Sequence, residues 1–559
     1  MKRKYIIIII VVSVVLLTAG ALWFFVFRKS NLSKYIPKNA MTVLKVNTMS
    51  LAGKLDFDEI ENMKSYNQMV DQMDEGGIDM SKLFKNPLKS GISLKDNIYL
   101  FTELNDDKSN IGLVLGISDA NNFKDFIEKF ASDANLEYKT SEDIFIYTSE
   151  EDNNAKMSIV WNDDACVIYY GNEESLSKSK RLLNQKSEES ILSNESYVKS
   201  EDKGGDASLY INYKNINKLI EKEIENQNLD SYYPKKIKDL SNNIEGSTFV
   251  LNFNKNHISI DGMQFFKDEN KTEEFNILGE KGLDSKALDY ISSNGKILMG
   301  ITAVINMKEV FNILKIIPKY DESISELERT IGLSESEIKN LLNGNISMAI
   351  TEIKMKDIEE TTYEYNEYLE DYEFQTNIVS KPVPIYCIQI GIKESNVYNK
   401  MIAKISELSE GKITLEGNKM ILPTNSEYGD VLFVNINDRI IITNDASAAK
   451  EIDENSKGSN SINSDIQKLF SENPIACYVS LDFDNYGSKQ IQSLLGNIGQ
   501  SDKEYKMEKK FMSNFSSFSF AGSLKASTIG VHLKKEGDQN SLMRMILAID
   551  ELVADVKKL

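Results

Sequence analysis

Apolar and polar residues alternate with a period of two in many short stretches of this chain, which is typical of strands that bury one face of a sheet. Leu209, Ile211 and Tyr213 show this alternation. Other stretches have apolar residues three and four positions apart, as between Phe123 and Phe130, which is typical of amphipathic helices. Strand pairs and helices follow each other along the chain. The pattern therefore predicts an α+β fold with mainly antiparallel sheets.

Residues 5–27 follow neither pattern, because they are mostly apolar and contain no charge and no proline. At about 1.5 Å per residue they span about 35 Å as a helix, which exceeds the bilayer's hydrocarbon core of about 30 Å. We predict a single transmembrane helix here that serves as a signal anchor. Residues 1–4 are then a cytoplasmic N-terminus and residues 28–34 a spacer. Basic residues before the helix favour a bacterial inner-membrane protein with its body in the periplasm.

A cleaved signal peptide is the alternative for the same stretch. Ala19, Gly20 and Ala21 have the small-x-small form of a cleavage site, and cleavage would leave a soluble or surface-exposed body. The apolar run continues for six residues beyond Ala21. We therefore favour the uncleaved anchor.

Several short phrases occur twice in the same order. Tyr-Ile-x-x-Asn stands at 35–39 and again at 290–294, in each case before a predicted strand. A phrase that begins Gly-Ile stands at 116–127 and, without a gap, at 391–402. Repetition of this kind is the signature of an internal duplication. We predict two tandem, homologous α+β modules.

The repeated phrases set the predicted domain boundaries. The first module covers 35–270, a polar linker covers 271–285, and the second module covers 286–559. The second module contains an acidic insert at 354–384. It ends in an amphipathic helix at 541–559, which we expect to dock on that module.

The acidic insert is the candidate site for a partner. Its core, 357–380, holds eight carboxylates, four tyrosines and no basic residue. Tyrosines would supply contact area, and the carboxylates would steer a basic partner or cations. The alternative, which we favour over a docking surface for this segment, is a solvated surface hairpin or extended strand pair, because charge runs usually face water. The candidate partner-binding residues are Tyr363, Tyr365, Tyr368 and Tyr372, with Glu364, Glu367, Glu370 and Asp371.

Charge and cysteine content exclude some classes of function. The chain of 559 residues has a net charge of −20 and is 41% hydrophobic, so it is an acidic protein that can bury large cores but is unsuited to bind nucleic acid. The expected partners are the lipid bilayer, through the N-terminal helix, and another protein or an envelope polymer. Cys166, Cys387 and Cys477 stand in apolar contexts, which indicates buried side chains rather than a disulfide framework.

Sequence signatures of catalysis are few. His257 and His532 are the only histidines, and neither has a second ligand at metal-binding spacing. No nucleophile elbow or phosphate-binding loop occurs. We therefore assign no catalytic, cofactor-binding or metal residue. The favoured function is a non-enzymatic binding or scaffold module, and the alternatives are a hydrolase that uses paired carboxylates on envelope glycans and a carrier of hydrophobic ligands.

Short phrases near the start of the body resemble a known family. Tyr-Ile-Pro-Lys-Asn-Ala at 35–40, Leu-Asp-Phe-Asp-Glu-Ile at 55–60, Ser-Gly-Ile at 90–92 and Gly-Ile-Ser-Asp at 116–119 resemble Bacteroidota envelope proteins catalogued as a domain of unknown function. The resemblance covers nearly the whole body and implies an envelope address. This chain departs from lipid-anchored members, because it has no acylation cysteine. The resemblance to this family identifies no catalytic residue in this chain.

Overall fold

The N-terminal part of the predicted architecture needs correction. In the described residues of the computed structural model, no helix is long and apolar enough to cross a membrane. The predicted transmembrane helix and signal anchor at 5–27 therefore form no part of the described fold, and these residues lie outside the described ranges. The described residues are 31–68, 90–105, 108–133, 138–141, 143–148, 156–171, 174–214, 216–217, 242–270, 276–292, 295–315, 319–366, 371–424, 429–436, 438–455, 462–482, 485–486, 506, 509–534 and 539–556.

The chain divides into two compact units. The first unit comprises Met1–Glu269 together with Lys535–Leu559, and the second comprises Asn270–Lys534. The first unit thus takes residues from both ends of the chain. The predicted pair of consecutive α+β modules is wrong in this respect, and the described architecture is sheet-rich, with twenty antiparallel strands among its helices.

The first unit contains ten described strands. Their order is β4-β5-β6-β7-β3-β2-β1-β8-β9-β10, and every neighbour is antiparallel. The strands are β1 (Thr42–Val46), β2 (Ile98–Asn105), β3 (Lys108–Gly116), β4 (Tyr138–Ser141), β5 (Ile144–Thr148), β6 (Lys156–Trp161), β7 (Ala165–Gly171), β8 (Ala207–Asn212), β9 (Ile244–Phe253) and β10 (His257–Phe266).

Helices cover both faces of this sheet. On one face α3 inserts Phe123 and Ile127 among the strands, as the helical spacing of its apolar residues predicts. On the other face α4 and α5 pack against β6 to β9. The helices are α1 (Thr48–Ala52), α2 (Phe57–Glu61), α3 (Ala120–Asp133), α4 (Ser175–Asn184) and α5 (Glu195–Glu201), with 3-10 turns at Leu32–Tyr35, Ser187–Glu189 and Ile191–Ser193.

A charged pair lies inside the first unit. Glu103 of β2 is fully buried, and the Nζ of Lys178 on α4 lies 2.6 Å from its Oε1 and 2.8 Å from its Oε2. The hydroxyl of Tyr169 donates to Oε1 of the same carboxylate. Burial, followed by the hydrogen bond to Glu103 and its charge, raises the pKa of Tyr169. Each polar group of this triad thus has a partner, as burial requires.

The second unit also contains ten described strands. Their order is β14-β15-β16-β17-β13-β12-β11-β18-β19-β20, again antiparallel throughout, and it matches the first unit position for position. The strands are β11 (Met299–Val304), β12 (Leu342–Asn366), β13 (Asp371–Ile392), β14 (Thr414–Glu416), β15 (Lys419–Leu422), β16 (Val431–Ile436), β17 (Arg439–Thr443), β18 (Ile475–Ser480), β19 (Phe515–Gly522) and β20 (Ala526–Leu533).

Helices of the second unit cover its sheet unevenly. On one face α12 inserts Phe470 beside Ile291, and α11 packs Ile452 against Val434. On the other face α10 packs around Ile440. Helices α7 and α9 contact β12. The helices are α6 (Ser285–Leu288), α7 (Met307–Leu314), α8 (Tyr320–Ile331), α9 (Glu335–Leu341), α10 (Ser395–Leu408), α11 (Ala446–Asn455) and α12 (Ser464–Glu472).

The C-terminal helix α13 (Ser541–Val556) packs on the first unit, against β10. The N–H of Ser541 donates to the carbonyl of Asn254, and the Nδ2 of Asn540 donates to the carbonyl of Phe253. The side chain of Met543 is buried. The expectation that this helix docks on the second module was therefore wrong, because its first turn is held by the loop between β9 and β10.

We expect Lys178→Met to destabilise the first unit by about 3–5 kcal/mol, because it leaves the buried Glu103 carboxylate without its cation. Urea unfolding followed by the fluorescence of the buried Trp161 measures the change. The double variant Glu103→Leu/Lys178→Met should recover most of the loss, since neither charge remains. Equal destabilisation in the single and double variants would contradict an electrostatic cause.

Candidate functional site

The longest hairpin of the second unit extends well beyond the sheet. β12 pairs with β11 only over 345–350, and β13 pairs with β17 only over 387–391. From there, among the described residues, the two strands pair only with each other, over 352–366 and 371–385. We call these two segments the ribbon. Its fifteen residue pairs correspond to a length of about 50 Å at about 3.3 Å per residue.

A β-bulge marks the place where the ribbon leaves the sheet. The register shifts between Ile350 and Glu352, so that Thr351 is an extra residue on β12. Thr351 is buried, whereas Glu352 is exposed. A bulge bends its strand and strengthens the local twist, which suits the end of the regular sheet.

Side chains from the loop after β17 hold the base of the ribbon. The Nδ2 of Asn444 donates to the carbonyl of Pro384 at 2.9 Å, and the N–H of Tyr386 donates to the Oδ1 of Asn444 at 3.1 Å. The amide of one side chain thus takes the place of a further residue of β17. Nearby, the Nζ of Lys354 lies 2.8 Å from the Oδ2 of Asp445.

Asp445 also begins helix α11. Its Oδ1 accepts the N–H of Ser447 at 2.9 Å. Burial alone would raise the pKa of Asp445, but the hydrogen bonds from Lys354 and Ser447 outweigh it and lower this pKa to about 2. The hydrogen bond to Asp445 raises the pKa of Lys354. The pair is therefore ionised at neutral pH.

The two faces of the ribbon differ in charge. On one face Glu360 lies 3.4 Å from the Nζ of Lys381. On the other face Asp357 and Glu359 are exposed, and their carboxylates have no ion pair or hydrogen bond with any described residue. Residues 376–380 are all exposed, and Ile378 reaches 73%. This part of the ribbon therefore faces solvent on both sides and carries uncompensated negative charge on one.

The predicted partner-binding residues lie at the far end of the ribbon. The strand pair expected for this segment is present, with Tyr365 opposite Tyr372. The role in binding stays a prediction. In the backbone register Tyr363, Glu364 and Asp371 belong to the same strand pair, whereas Glu367, Tyr368 and Glu370 lie outside the described residues.

The histidine side chains lie beside polar neighbours, and the cysteine side chains are buried or half-buried. The Nε2 of His257 lies 3.0 Å from the Nδ2 of Asn254, within the β9–β10 hairpin. Cys166 and Cys387 are buried as predicted, whereas Cys477 is only half-buried. Burial raises the pKa of Cys387 to about 12. Within the described ranges no three His, Cys, Asp or Glu side chains are grouped so that they could hold a metal ion.

The second unit also has an apolar surface, whose residues the sequence analysis did not identify. It lies on the same face of the sheet as α10, away from that helix. There Ile301 on β11 is 48% exposed and Met348 on β12 is 39% exposed. The two residues lie opposite each other in the strand register. Apolar side chains continue this row across the next strands. Its members are Met348, Ile301, Cys477, Phe520 and Ile529. The row forms a half-open apolar strip.

A protein-family model covers most of the chain. The model for "Domain of unknown function (DUF4836)" matches residues 33–542. The chain belongs to this family. The resemblance to an uncharacterised domain family is thereby confirmed, and no curated protein matches the chain.

Crystal structures of TP0453 are similar to part of the chain. Crystal form IV has 14% identity and a TM-score of 0.23, over 42% of this chain and 81% of that one. Crystal form III has 12% identity and a TM-score of 0.24, over 46% and 90%. Crystal form I has 14% identity and a TM-score of 0.24, over 43% and 80%. Similarity at this level assigns neither a fold nor a function.

We expect Lys354→Met to cost about 0.2–1 kcal/mol at pH 7, because this half-exposed pair is screened by solvent. Asp445 has a folded pKa of about 2, below its ordinary value of 3.8. Its contribution is therefore present above about pH 4 and lost as the pH falls towards 2. Urea unfolding at pH 7 and pH 2 should show a clearly larger difference from wild type at pH 7 than at pH 2. Lys356→Met, on the same strand, is the control, and an equal effect there would contradict the pairing.

Proposed function

We propose that this protein is a non-enzymatic binding protein of the bacterial cell envelope that docks a basic partner on its acidic ribbon. The observation that carries this is the pair of exposed, uncompensated carboxylates, Asp357 and Glu359, on a ribbon that leaves the sheet. A positive partner would find there negative charge that no described residue neutralises.

Energetic considerations support a role in binding. A two-stranded ribbon is marginally stable by itself in water, and like charges close together on one face destabilise it further. Stability therefore gives no reason to place Asp357 and Glu359 two residues apart. Exposed charge does accelerate encounter with an oppositely charged partner and selects against partners of the same sign.

The proposed location in the cell envelope is supported by the sequence alone. The phrases at 35–40 and 116–119 resemble envelope proteins of Bacteroidota, and the net charge of −20 disfavours nucleic acid as the partner. A hydrolase acting on envelope glycans stays an untested prediction, since the described side chains single out no carboxyl pair for that chemistry.

The charge of the ribbon can be tested with octalysine as the probe. We expect Asp357→Lys/Glu359→Lys in the full chain to bind octalysine about tenfold more weakly, because two attractive charges become repulsive. Fluorescence anisotropy at low salt measures the affinity, which should fall for wild type as salt screens the charges.

The matched control for octalysine binding is Glu188→Lys/Glu189→Lys. These two exposed glutamates lie in a 3-10 turn of the first unit, so the control changes the net charge by the same amount. Its affinity for octalysine should stay within about twofold of wild type, as expected for charges remote from the site. If both variants weaken binding equally, the probe senses only net charge and the ribbon has no special role.

The apolar strip favours a second candidate, the binding of a hydrophobic ligand. Exposed apolar rows of this kind mark interaction surfaces more often than chance exposure of single residues does. We expect Ile301→Lys to weaken binding of a fluorescent fatty acid about tenfold, which corresponds to about 1.4 kcal/mol. Val198→Lys, at an exposed apolar position on α5, is the control. No binding by wild type, or equal loss in both variants, would dismiss this candidate.

A further inference from the structure

The hydrogen bonds at the base of the ribbon show which backbone groups face outward. The carbonyl of Pro384 accepts a hydrogen bond from Asn444, so the groups of residue 384 point away from β12. In an antiparallel pair this direction alternates with every residue, and the register shows no shift from there to the tip. Outward groups on β13 therefore belong to residues 376, 378, 380, 382 and 384.

Their cross-strand partners on β12 also point outward. These partners are Ile353, Met355, Asp357, Glu359 and Thr361. Each carries an N–H donor and a carbonyl acceptor. No strand of the described second unit pairs with this side of β12 beyond Ile350. Within the described part of the chain, the outer edge of β12 is thus open over five donors and five acceptors.

The two edges of the ribbon are not equivalent. On β13 two of the five outward positions are Pro382 and Pro384, which have no N–H to donate, and proline blocks strand addition at an edge. On β12 none of the five is proline. An added strand can therefore form a regular ladder along β12 and not along the body-proximal part of β13.

The negative charges on the open edge of β12 are spaced two residues apart, which is the side-chain period of a strand. Asp357 and Glu359 are two residues apart and lie on the same face of β12, together with Thr361. Side chains of a strand added beside β12 would stand opposite them on that face, also at every second residue. The matching segment carries lysine or arginine at alternate positions.

We infer that the outer edge of β12, from Ile353 to Thr361, takes up an extended segment of a partner protein with basic residues at every second position, which adds to the ribbon as a third strand. The inference rests on the proposed function and names its mode of binding. Main-chain hydrogen bonds would supply affinity, and the alternate carboxylates would set the register.

Two peptides of equal composition test the pattern of charge. The first alternates threonine and lysine over eight residues, and the second has four threonines followed by four lysines. As a strand, the first places all four lysines on one face and the second places two on each. We expect the alternating peptide to bind the full chain about fivefold more tightly, because more of its charges meet carboxylates.

Hydrogen exchange tests whether the peptide adds as a strand. With the alternating peptide bound, the amides of Asp357 and Glu359 should exchange at least about tenfold more slowly, since their N–H groups become hydrogen-bonded. Unchanged exchange at both amides in the presence of bound peptide would overturn strand addition.

A matched pair of proline variants shows which edge of the ribbon, that of β12 or that of β13, binds the peptide. Thr361 and Thr376 lie directly opposite each other, and their hydroxyls are 3.4 Å apart. Thr361→Pro removes an outward donor from β12, and Thr376→Pro removes one from β13; neither removes a bond between the two strands. We expect Thr361→Pro to weaken the alternating peptide about fivefold and Thr376→Pro to leave it unchanged.

The outcomes separate this inference from the proposed function. If both peptides bind equally well and the two proline variants behave alike, strand addition is wrong, although the ribbon still docks basic partners. If neither peptide nor octalysine binds the chain, the proposed function is wrong as well. Weaker binding by Thr376→Pro alone would place the partner on β13 and overturn the assignment to β12.

Discussion

The backbone hydrogen bonds of β12 and β13 are the constraint on which the shape of the second unit's sheet depends. Over 387–391, β13 lies between β12 and β17 and is paired on both sides. Beyond the sheet each of the two strands has one described partner, the other strand of the ribbon, so half of its backbone groups need water or another strand. A ribbon of this kind can exist only at the surface, and the exposure of 376–380 on both faces agrees with this.

Two Thr-Glu pairs in corresponding strands of the two units have different environments. Thr102 and Glu103 on β2 place the glutamate in the core, where Lys178 neutralises it. Thr351 and Glu352 occupy the same place in the strand order of the second unit, but the bulge adds a residue, and Glu352 is 49% exposed in its side chain. Because side chains alternate between faces, one inserted residue moves the following carboxylate from inside to outside.

Sequence patterns predict what depends on neighbouring residues and fail where distant contacts decide. The helical spacing from Phe123 to Ile127 identifies a real helix, because burial of one face imposes that period. The alternation around Leu209 falls on a real strand, β8, but the buried positions there are Ser208, Tyr210 and Asn212. Amphipathicity shows that the C-terminal helix packs on something, but its partner at Asn254 is set by tertiary contacts. The acidic insert is visible as composition, whereas its open edge depends on which residues point outward, and this requires the register.

Charge and edge protection together determine what the ribbon can accept. Open strand edges invite pairing with identical edges of other copies, and proteins commonly prevent this with charges and prolines. Pro382 and Pro384 protect β13 in this way. On β12, pairing of two copies would bring Asp357 and Glu359 close to carboxylates of the same sign, which is unfavourable. The same carboxylates favour a basic segment. The carboxylates that disfavour pairing of two copies along β12 therefore also favour a basic partner. Unlike proline, they leave the backbone donors and acceptors of β12 able to pair with an added strand.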